Sequence, residues 1–237
     1  MPAKHTIKEF VENGYYHLYN RGVEKQKIFK DDQDYGVFLS YLKTYLEPKD
    51  EVKLRATILD SSASWREKDK ASKLLRLNNF NDDLDLLAYC LMPNHFHLLV
   101  HQKDKDTIDR FLNSLGTRYT MYFNKKYKRV GPMFQGVYKA VLIGRDEQLL
   151  HLTRYIHRNP KSVYHGKKPA SQGLALRSWE YSSYRDYLAF RQTRWVKPKE
   201  ILNQFGKKGV TSYQAFVEDV DEEDTVRIVG NAGIDGE

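Results

Sequence analysis

The pattern of apolar and polar positions predicts that strands and helices alternate along the first two thirds of the chain. The predicted order is a strand over 14–22, a helix from Asp31 or Asp32 to Pro48, two hairpinned strands over 86–100, a helix from Thr107, a strand over 133–143 and a helix from Asp146 to Pro160. This order is the split βαβ arrangement of a ferredoxin-like fold. We therefore predict an α+β protein with an antiparallel sheet, helices on one face of it and a C-terminal helical extension.

Three further segments lie outside this pattern. Residues 49–83 lose their periodicity and become charged, which indicates an insertion or a long, partly helical loop. We expect one main domain over 1–165, an accessory helical segment over 166–220 and a flexible acidic tail over 221–237.

Net charge makes the chain suitable for a polyanionic partner. The 237 residues carry a net charge of +8, but the last twenty hold eight acidic side chains and one basic one, so the first 217 residues carry +15. An excess of this size favours nucleic acid as the partner. Excess charge also serves solubility alone, and that alternative stays open at this point.

Cysteine content and hydropathy exclude several classes of protein. Cys90 is the one cysteine in the chain, which excludes an intrachain disulfide and a cysteine-based zinc site. The sequence begins without an apolar leader and no apolar run approaches about eighteen residues, so we expect a cytoplasmic protein with no membrane partner.

The hairpin over 86–100 carries the first candidate chemistry. Its second strand contains His95 and His97, two positions apart, so both imidazoles leave the same face. Neighbouring imidazoles on a rigid strand suit one divalent metal ion. A histidine that caps the turn, followed by one at the surface, fits the same spacing.

The last predicted helix carries the second candidate set. His151, Tyr155 and Asn159 share one face of it, because successive members are four residues apart. Near a metal ion, a tyrosine suits transesterification of a phosphodiester onto its phenol oxygen. A half-buried tyrosine and a helix-capping asparagine are the structural alternative. A rival, Tyr119, lies on the apolar stripe of its own helix and about 140° from Asn124, so we expect it in the core.

Together the two motifs resemble those of a known family. The sequence MPNHFHLLV at 92–100, followed by YIHRNP at 155–160, is similar to the His-hydrophobic-His (HUH) and tyrosine motifs of the single-tyrosine HUH transposases. It is most similar to the REP-associated tyrosine transposases, which are relatives of insertion-sequence enzymes. The stretches 16–22 and 131–139 resemble the same family, and the likeness spans about residues 14–165. It implies the HUH endonuclease fold.

The resemblance implies a metal-dependent DNA endonuclease and strand-transferase. His95, His97 and Asn159 would hold Mg²⁺ or Mn²⁺, and Tyr155 would be the catalytic nucleophile that forms a 5′-phosphotyrosine bond. The substrate would be single-stranded DNA beside a hairpin. The candidate contacts to the DNA backbone are Arg21, Lys125, Lys126, Lys128, Arg129, Lys139, Arg154 and Arg158.

Some features depart from the family pattern or leave alternatives. Phe134 stands where relatives usually carry Trp, and Val137 where they usually carry Arg, which removes one expected phosphate contact. The segment after Pro160 is long enough to hold the tyrosine helix against its own chain, so a monomer is favoured over a homodimer. The resemblance also implies a bacterial, nucleoid-associated protein. The alternatives are a non-catalytic nucleic-acid-binding protein on this fold and a metal-dependent hydrolase of small phosphate esters.

Overall fold

The computed structural model describes residues 10–164, 172–206 and 209–219. Its strands are β1 (Gly14–Arg21), β2 (Leu84–Met92), β3 (His95–Gln102) and β4 (Lys139–Ile143). Its helices are α1 (Asp32–Leu46), α2 (Glu51–Leu59), α3 (Trp65–Arg76), α4 (Thr107–Tyr127), α5 (Asp146–Arg158), α6 (Gln172–Ser178), α7 (Tyr184–Tyr187), α8 (Lys199–Leu202) and α9 (Tyr213–Glu218). Within these ranges, none of the helices has the length and apolarity that a membrane crossing needs.

One antiparallel sheet, with strand order β2-β3-β1-β4, forms the middle of the fold. β1 pairs with β3 so that Tyr19 lies opposite His97 and Arg21 lies opposite His95. Side chains alternate between the two faces of a sheet, so the odd-numbered residues of β1 and β3 share the face of the two histidines. The even-numbered residues of both strands share the other face.

Helices α1 and α4 cover the face of the even-numbered residues. Leu18, Phe96 and Leu98 of the sheet pack there with Phe38 of α1 and Phe111 of α4. Both helices present an apolar residue every three or four positions, which buries one stripe of each and leaves the opposite side to solvent.

The histidine-bearing face is covered as well, which corrects the prediction of helices on one face. Leu149, Leu152 and Ile156 of α5 pack with Cys90 and Leu99 of the sheet. The physical reason lies in β2, which is buried along nearly its whole length. A strand that is apolar on both sides needs cover on both faces. The predicted α+β class and the antiparallel sheet are confirmed.

The C-terminal segment completes this second core and covers the outer edge of β2. The Ser183 N–H donates to the Tyr89 carbonyl, and the Leu91 N–H donates to the Tyr181 carbonyl. An uncovered edge strand would leave such groups unpaired. The helical extension predicted over 166–220 therefore packs on the sheet in its described parts. The acidic tail predicted over 221–237 lies outside the described residues.

The insertion predicted over 49–83 contains α2 and α3, which pack against each other. Ser64 and Glu67 form a capping box at the start of α3, which satisfies two backbone N–H groups. The Phe80 N–H donates to the carbonyl of Tyr45 near the end of α1. Because Phe80 lies just before β2, the insertion leaves the sheet at the end opposite the 93–94 turn.

Candidate active site

His95 and His97 project from β3 towards the face that α5 covers. Their ring centroids are 4.8 Å apart, with the ring planes at 83°. His97 is completely buried and His95 is 8% exposed. The structure therefore brings together the two histidines that the strand spacing singles out, and neither lies at the open surface.

His95 has an amide oxygen next to each ring nitrogen. Its Nδ1 lies 2.6 Å from Asn94 Oδ1, and its Nε2 lies 3.3 Å from Asn159 Oδ1. Both oxygens are fixed in orientation, because Asn94 Nδ2 donates to the Lys25 carbonyl and Asn159 Nδ2 donates to the Tyr155 carbonyl. A neutral imidazole has one proton and donates to only one of the two oxygens. The lone pair of the other nitrogen then faces the lone pairs of the second oxygen. A cation between that nitrogen and that oxygen would offset their repulsion.

The contact at Nδ1 of His95 is the shorter of the two, so we take Nδ1 as the protonated nitrogen. The Nε2 lone pair and Asn159 Oδ1 are then two donor atoms 3.3 Å apart. Neighbouring ligands of an octahedral ion with bonds of about 2.1 Å are separated by about 3 Å. Within the described ranges, no group of three or more His, Cys, Asp or Glu side chains could hold a metal. A metal at this place therefore depends on Asn159.

His97 offers a third donor atom. Its Nδ1 lies 3.0 Å from His17 Nε2, whereas its buried Nε2 has no hydrogen-bond partner in the part of the chain that the structure describes. Burial, and then the neighbouring His95 and His17, hold the pKa of His97 well below its ordinary value, although Asn159 opposes the shift. His97 is therefore neutral near pH 7, which is the state in which an imidazole binds a metal.

The ring of Tyr155, on α5, is nearly perpendicular to two of the histidine rings. Its ring centroid lies 5.6 Å from that of His97 and 6.3 Å from that of His17, with ring planes at 84° and 79°. The apolar stripe of α5 is buried against the sheet, which fixes where the half-buried Tyr155 lies. Asn159 follows one helical turn later. One chain thus brings the tyrosine, the amide and both histidines of the sequence motifs together.

Polar contacts near the C-terminal end of α5 hold this helix in place. The fully buried His157 has its Nδ1 2.7 Å from the Tyr213 hydroxyl and its Nε2 2.8 Å from Ser183 Oγ. Burial lowers the pKa of His157 to about 3, so the neutral ring donates at one nitrogen and accepts at the other. Both partners belong to the C-terminal segment, which therefore positions the helix that carries Tyr155.

Two of the predicted DNA contacts lie beside the histidines. Arg21 is half-buried at the end of β1, opposite His95, and Lys139 is exposed at the start of β4, opposite Tyr19. Both positions belong to the histidine-bearing face. Cationic side chains at such positions can form charge-assisted hydrogen bonds with a phosphodiester.

Three more of the predicted contacts lie at the end of α4. This helix starts beside the far end of β3 and runs towards the end of the sheet that bears His95. Lys125 and Lys128 are exposed there, and the Arg129 guanidinium lies 5.6 Å from the ring centroid of Phe123. They extend the positive charge from the site along one end of the sheet.

Lys126 differs from the other predicted DNA contacts, because it forms ion pairs inside the protein. Its Nζ lies 2.7 Å from Asp31 and 2.8 Å from Asp34, and the Asp34 side chain is fully buried. Asp34 also accepts hydrogen bonds from the hydroxyls of Tyr122 and Tyr127. A buried carboxylate needs a compensating charge, so Lys126 is committed to the packing of α4 on the start of α1.

Arg154 and Arg158 are likewise bound within the protein. They are 5% and 8% exposed and donate to the carbonyls of Phe216 and Val217 in α9. His151 also lies in this contact, with its Nδ1 2.6 Å from Arg154 Nη2 and its ring against Phe216. The two arginines therefore connect α5 to α9, and we leave them out of the DNA surface.

The sequence motifs do not identify two residues of the site, His17 and Asn94. His17 could have been found as a polar side chain at an inward position of an apolar strand. Asn94 could have been found because it directly precedes the first histidine of the motif. The expectation that Tyr119 lies in the core is confirmed, because it is fully buried and its hydroxyl donates to the Ile28 carbonyl.

Comparison with known proteins gives matches at the level of family and of solved structures. A REP-associated tyrosine transposase, solved with a bound REP hairpin, is 14% identical, with 86% of this chain and 94% of that chain covered and a TM-score of 0.40. A Deinococcus radiodurans protein described as a transposase is 15% identical, with 63% and 92% covered and a TM-score of 0.35. Likenesses this distant carry no functional argument, and no curated protein matches. The family of IS200-like transposases matches residues 10–159, which is more than half of the chain and includes both motifs, so the chain belongs to that family.

Proposed function

We propose that this IS200-like transposase cleaves and rejoins single-stranded DNA beside a hairpin through a 5′-phosphotyrosine bond at Tyr155. Mg²⁺ or Mn²⁺ would be held by His95, His97 and Asn159. The observation that carries the proposal is the grouping of three possible metal-ligand atoms on the histidine-bearing face. His95 Nε2 and Asn159 Oδ1 face each other at 3.3 Å, and His97 Nε2 is buried without a partner among the described residues. The Tyr155 ring lies 5.6 Å from His97.

The proposed reaction exchanges one phosphodiester for another. The phenol of Tyr155 loses its proton and its oxygen bonds to the phosphorus, while the 3′-oxygen of the preceding nucleotide leaves with its electron pair and takes up a proton. Rejoining is the reverse, with a 3′-hydroxyl as nucleophile and Tyr155 as leaving group. A bound divalent ion would stabilise negative charge on the phosphate oxygens.

The basic side chains around the site support a DNA substrate. Arg21 and Lys139 flank the histidine-bearing face, and Lys125, Lys128 and Arg129 extend the positive charge. Such cations neutralise backbone phosphates without reading sequence. The hairpin part of the proposal rests on the resemblance of the two motifs to those of REP-associated tyrosine transposases.

The position of α5 supports a monomer as the active form. The helix packs on β2 and β3 of its own chain, and His157 and Arg158 bind it to the C-terminal segment. Tyr155 then meets the histidines of the same chain, so a single copy holds the full set of proposed catalytic side chains.

The test uses a pool of hairpin oligonucleotides with single-stranded flanks, labelled at either end, in Mn²⁺ or EDTA. A 5′-phosphotyrosine retains the downstream fragment, so only 3′-labelled DNA should migrate with the protein on a denaturing gel, and only with metal. Tyr155→Phe should abolish this band. Tyr19→Phe is the matched control, because Tyr19 lies on the same face with its ring 6.4 Å from His97, and it should retain the band. An adduct that survives in Tyr155→Phe contradicts the proposal, and binding without any adduct favours the non-catalytic alternative.

A further inference from the structure

A third histidine, His17, lies inside the candidate active site. It projects from β1 to the histidine-bearing face and is completely buried. Its ring is nearly parallel to that of His97, with an interplanar angle of 10° and a centroid separation of 5.2 Å. The Tyr155 ring is nearly perpendicular to both imidazoles. A polar ring in the middle of a covered sheet face is costly to bury unless its nitrogens are hydrogen-bonded.

The contact between the two rings can hold its proton in one of two ways. His17 Nε2 and His97 Nδ1 are 3.0 Å apart, so one nitrogen donates and the other accepts. If His97 carries the proton on Nδ1, its Nε2 keeps a lone pair. If His17 donates instead, a neutral His97 carries its proton on Nε2 and has no lone pair there. The two tautomers therefore differ in whether His97 can bind a metal through Nε2.

His95 also has a hydrogen-bond partner at its Nδ1. Asn94 Oδ1 can only accept, so a proton on His95 Nδ1 satisfies this shorter contact and leaves a lone pair on Nε2. In proteins, a metal-binding histidine almost always donates its other N–H to an outer partner that fixes its tautomer and orientation. His17 lies at Nδ1 of His97 in the same way that Asn94 lies at Nδ1 of His95.

We propose that His17 is a positioning residue that accepts a hydrogen bond from His97 Nδ1–H and so holds His97 with its Nε2 available to the metal. The inference rests on the proposed metal site and adds an outer partner to it. His17 Nε2 is not a metal ligand in this arrangement, because it accepts the hydrogen bond from His97. If His17 had only a structural role, its ring would need to fill the buried volume, but it would not need to fix the tautomer of His97.

The first test needs no substitution. In metal-free wild-type protein labelled with ¹⁵N-histidine, long-range ¹H–¹⁵N correlations report which ring nitrogen carries the proton, and His97→Gln identifies the His97 signals. We expect His97 to be protonated on Nδ1 and bare on Nε2. A proton on Nε2 of His97 overturns the inference, whether or not the protein forms a DNA adduct.

The second test measures Mn²⁺ affinity by titration calorimetry. His17→Phe fills the volume without an acceptor, and we expect its Kd to rise about 10- to 100-fold. His17→Gln keeps an oxygen acceptor and should stay closer to wild type, with thermal unfolding in EDTA as the folding control for both. Wild-type affinity in a folded His17→Phe overturns the inference alone. Absence of Mn²⁺ binding to the wild type overturns the proposed metal site along with it. If His17→Phe does not fold, the tautomer of wild-type His97 decides.

Discussion

At the scale of single residues, the partner at Nδ1 of each histidine decides whether its Nε2 can bind a metal ion. His95 has Asn94 Oδ1 at its Nδ1, and His97 has His17 Nε2 at its Nδ1. If each Nδ1 carries the proton, each ring keeps a lone pair on its Nε2. The short spacing of His95 and His97 predicts that they share a face, but it says nothing about which nitrogen of each ring is available.

Asn94 gives a direct test of this arrangement. Asn94→Ala removes the oxygen that accepts from His95, so the ring is free to change tautomer, and we expect the Kd for Mn²⁺ to rise about tenfold or more. Asn94→Asp keeps an oxygen acceptor and is the matched control. Titration calorimetry measures both, and an Asn94→Ala protein that binds Mn²⁺ as tightly as wild type contradicts the argument for His95.

At the scale of elements, the proposed function depends on how α5 is held. Its apolar stripe packs on the sheet, and the C-terminal segment binds its far end through the fully buried His157. This anchoring has a pH dependence with a definite sign. The pKa of His157 is lowered to about 3 in the folded chain, whereas it is about 6.5 in an unfolded chain. Between these values the unfolded chain binds a proton that the folded chain does not.

We therefore expect the free energy of unfolding to fall as the pH falls from about 6.5 towards 3, with His157 contributing up to about 1.4 kcal/mol per pH unit. Urea unfolding at pH 7.5 and at pH 5 measures this. His157→Gln keeps polar groups at the site but does not titrate, so its unfolding free energy should depend less on pH over this interval. Equal pH dependence in the two proteins would show that His157 is not held neutral.

The elements also show where sequence patterns were sufficient. The order of strands and helices followed from the alternation and helical spacing of apolar residues. The number of sheet faces that helices cover was not predicted correctly, although the nearly uninterrupted apolar run of β2 indicates cover on both faces. A prediction of helices on one face suits strands that alternate between apolar and polar residues, but not a strand that is buried on both sides.

At the scale of the whole molecule, the unpredicted contacts are those between distant parts of the chain. His17 lies 80 residues before His97, and Arg154 and Arg158 lie 62 and 59 residues before the carbonyls that they bind. A local motif fixes residue types and a shared face, which is why it predicts that Tyr155 and Asn159 lie on one side of α5. It does not fix which segment folds over an arginine or an imidazole.

The basic surface gives a prediction at this scale, because Lys126 is ion-paired whereas its neighbours Lys125 and Lys128 are exposed. Lys125→Ala and Lys128→Ala should each weaken hairpin binding and reduce the slope of log affinity against log salt by roughly one unit. Lys126→Ala should leave that slope unchanged and lower the melting temperature instead, because Asp34 loses its cation. Fluorescence anisotropy at several salt concentrations and thermal unfolding separate the two effects. A Lys126→Ala protein with wild-type stability and a reduced slope would return Lys126 to the DNA surface.

The central claim is that Tyr155 becomes covalently joined to the 5′ end of cleaved DNA. Mass spectrometry of the trapped adduct, after nuclease and trypsin digestion, tests it most directly, since trypsin releases residues 155–158 as a peptide with a single tyrosine. We predict that this peptide carries the mass of a nucleotide phosphate and that fragmentation places it on Tyr155. A nucleotide on another tyrosine, or DNA cleavage that leaves the peptide unmodified, would contradict the account.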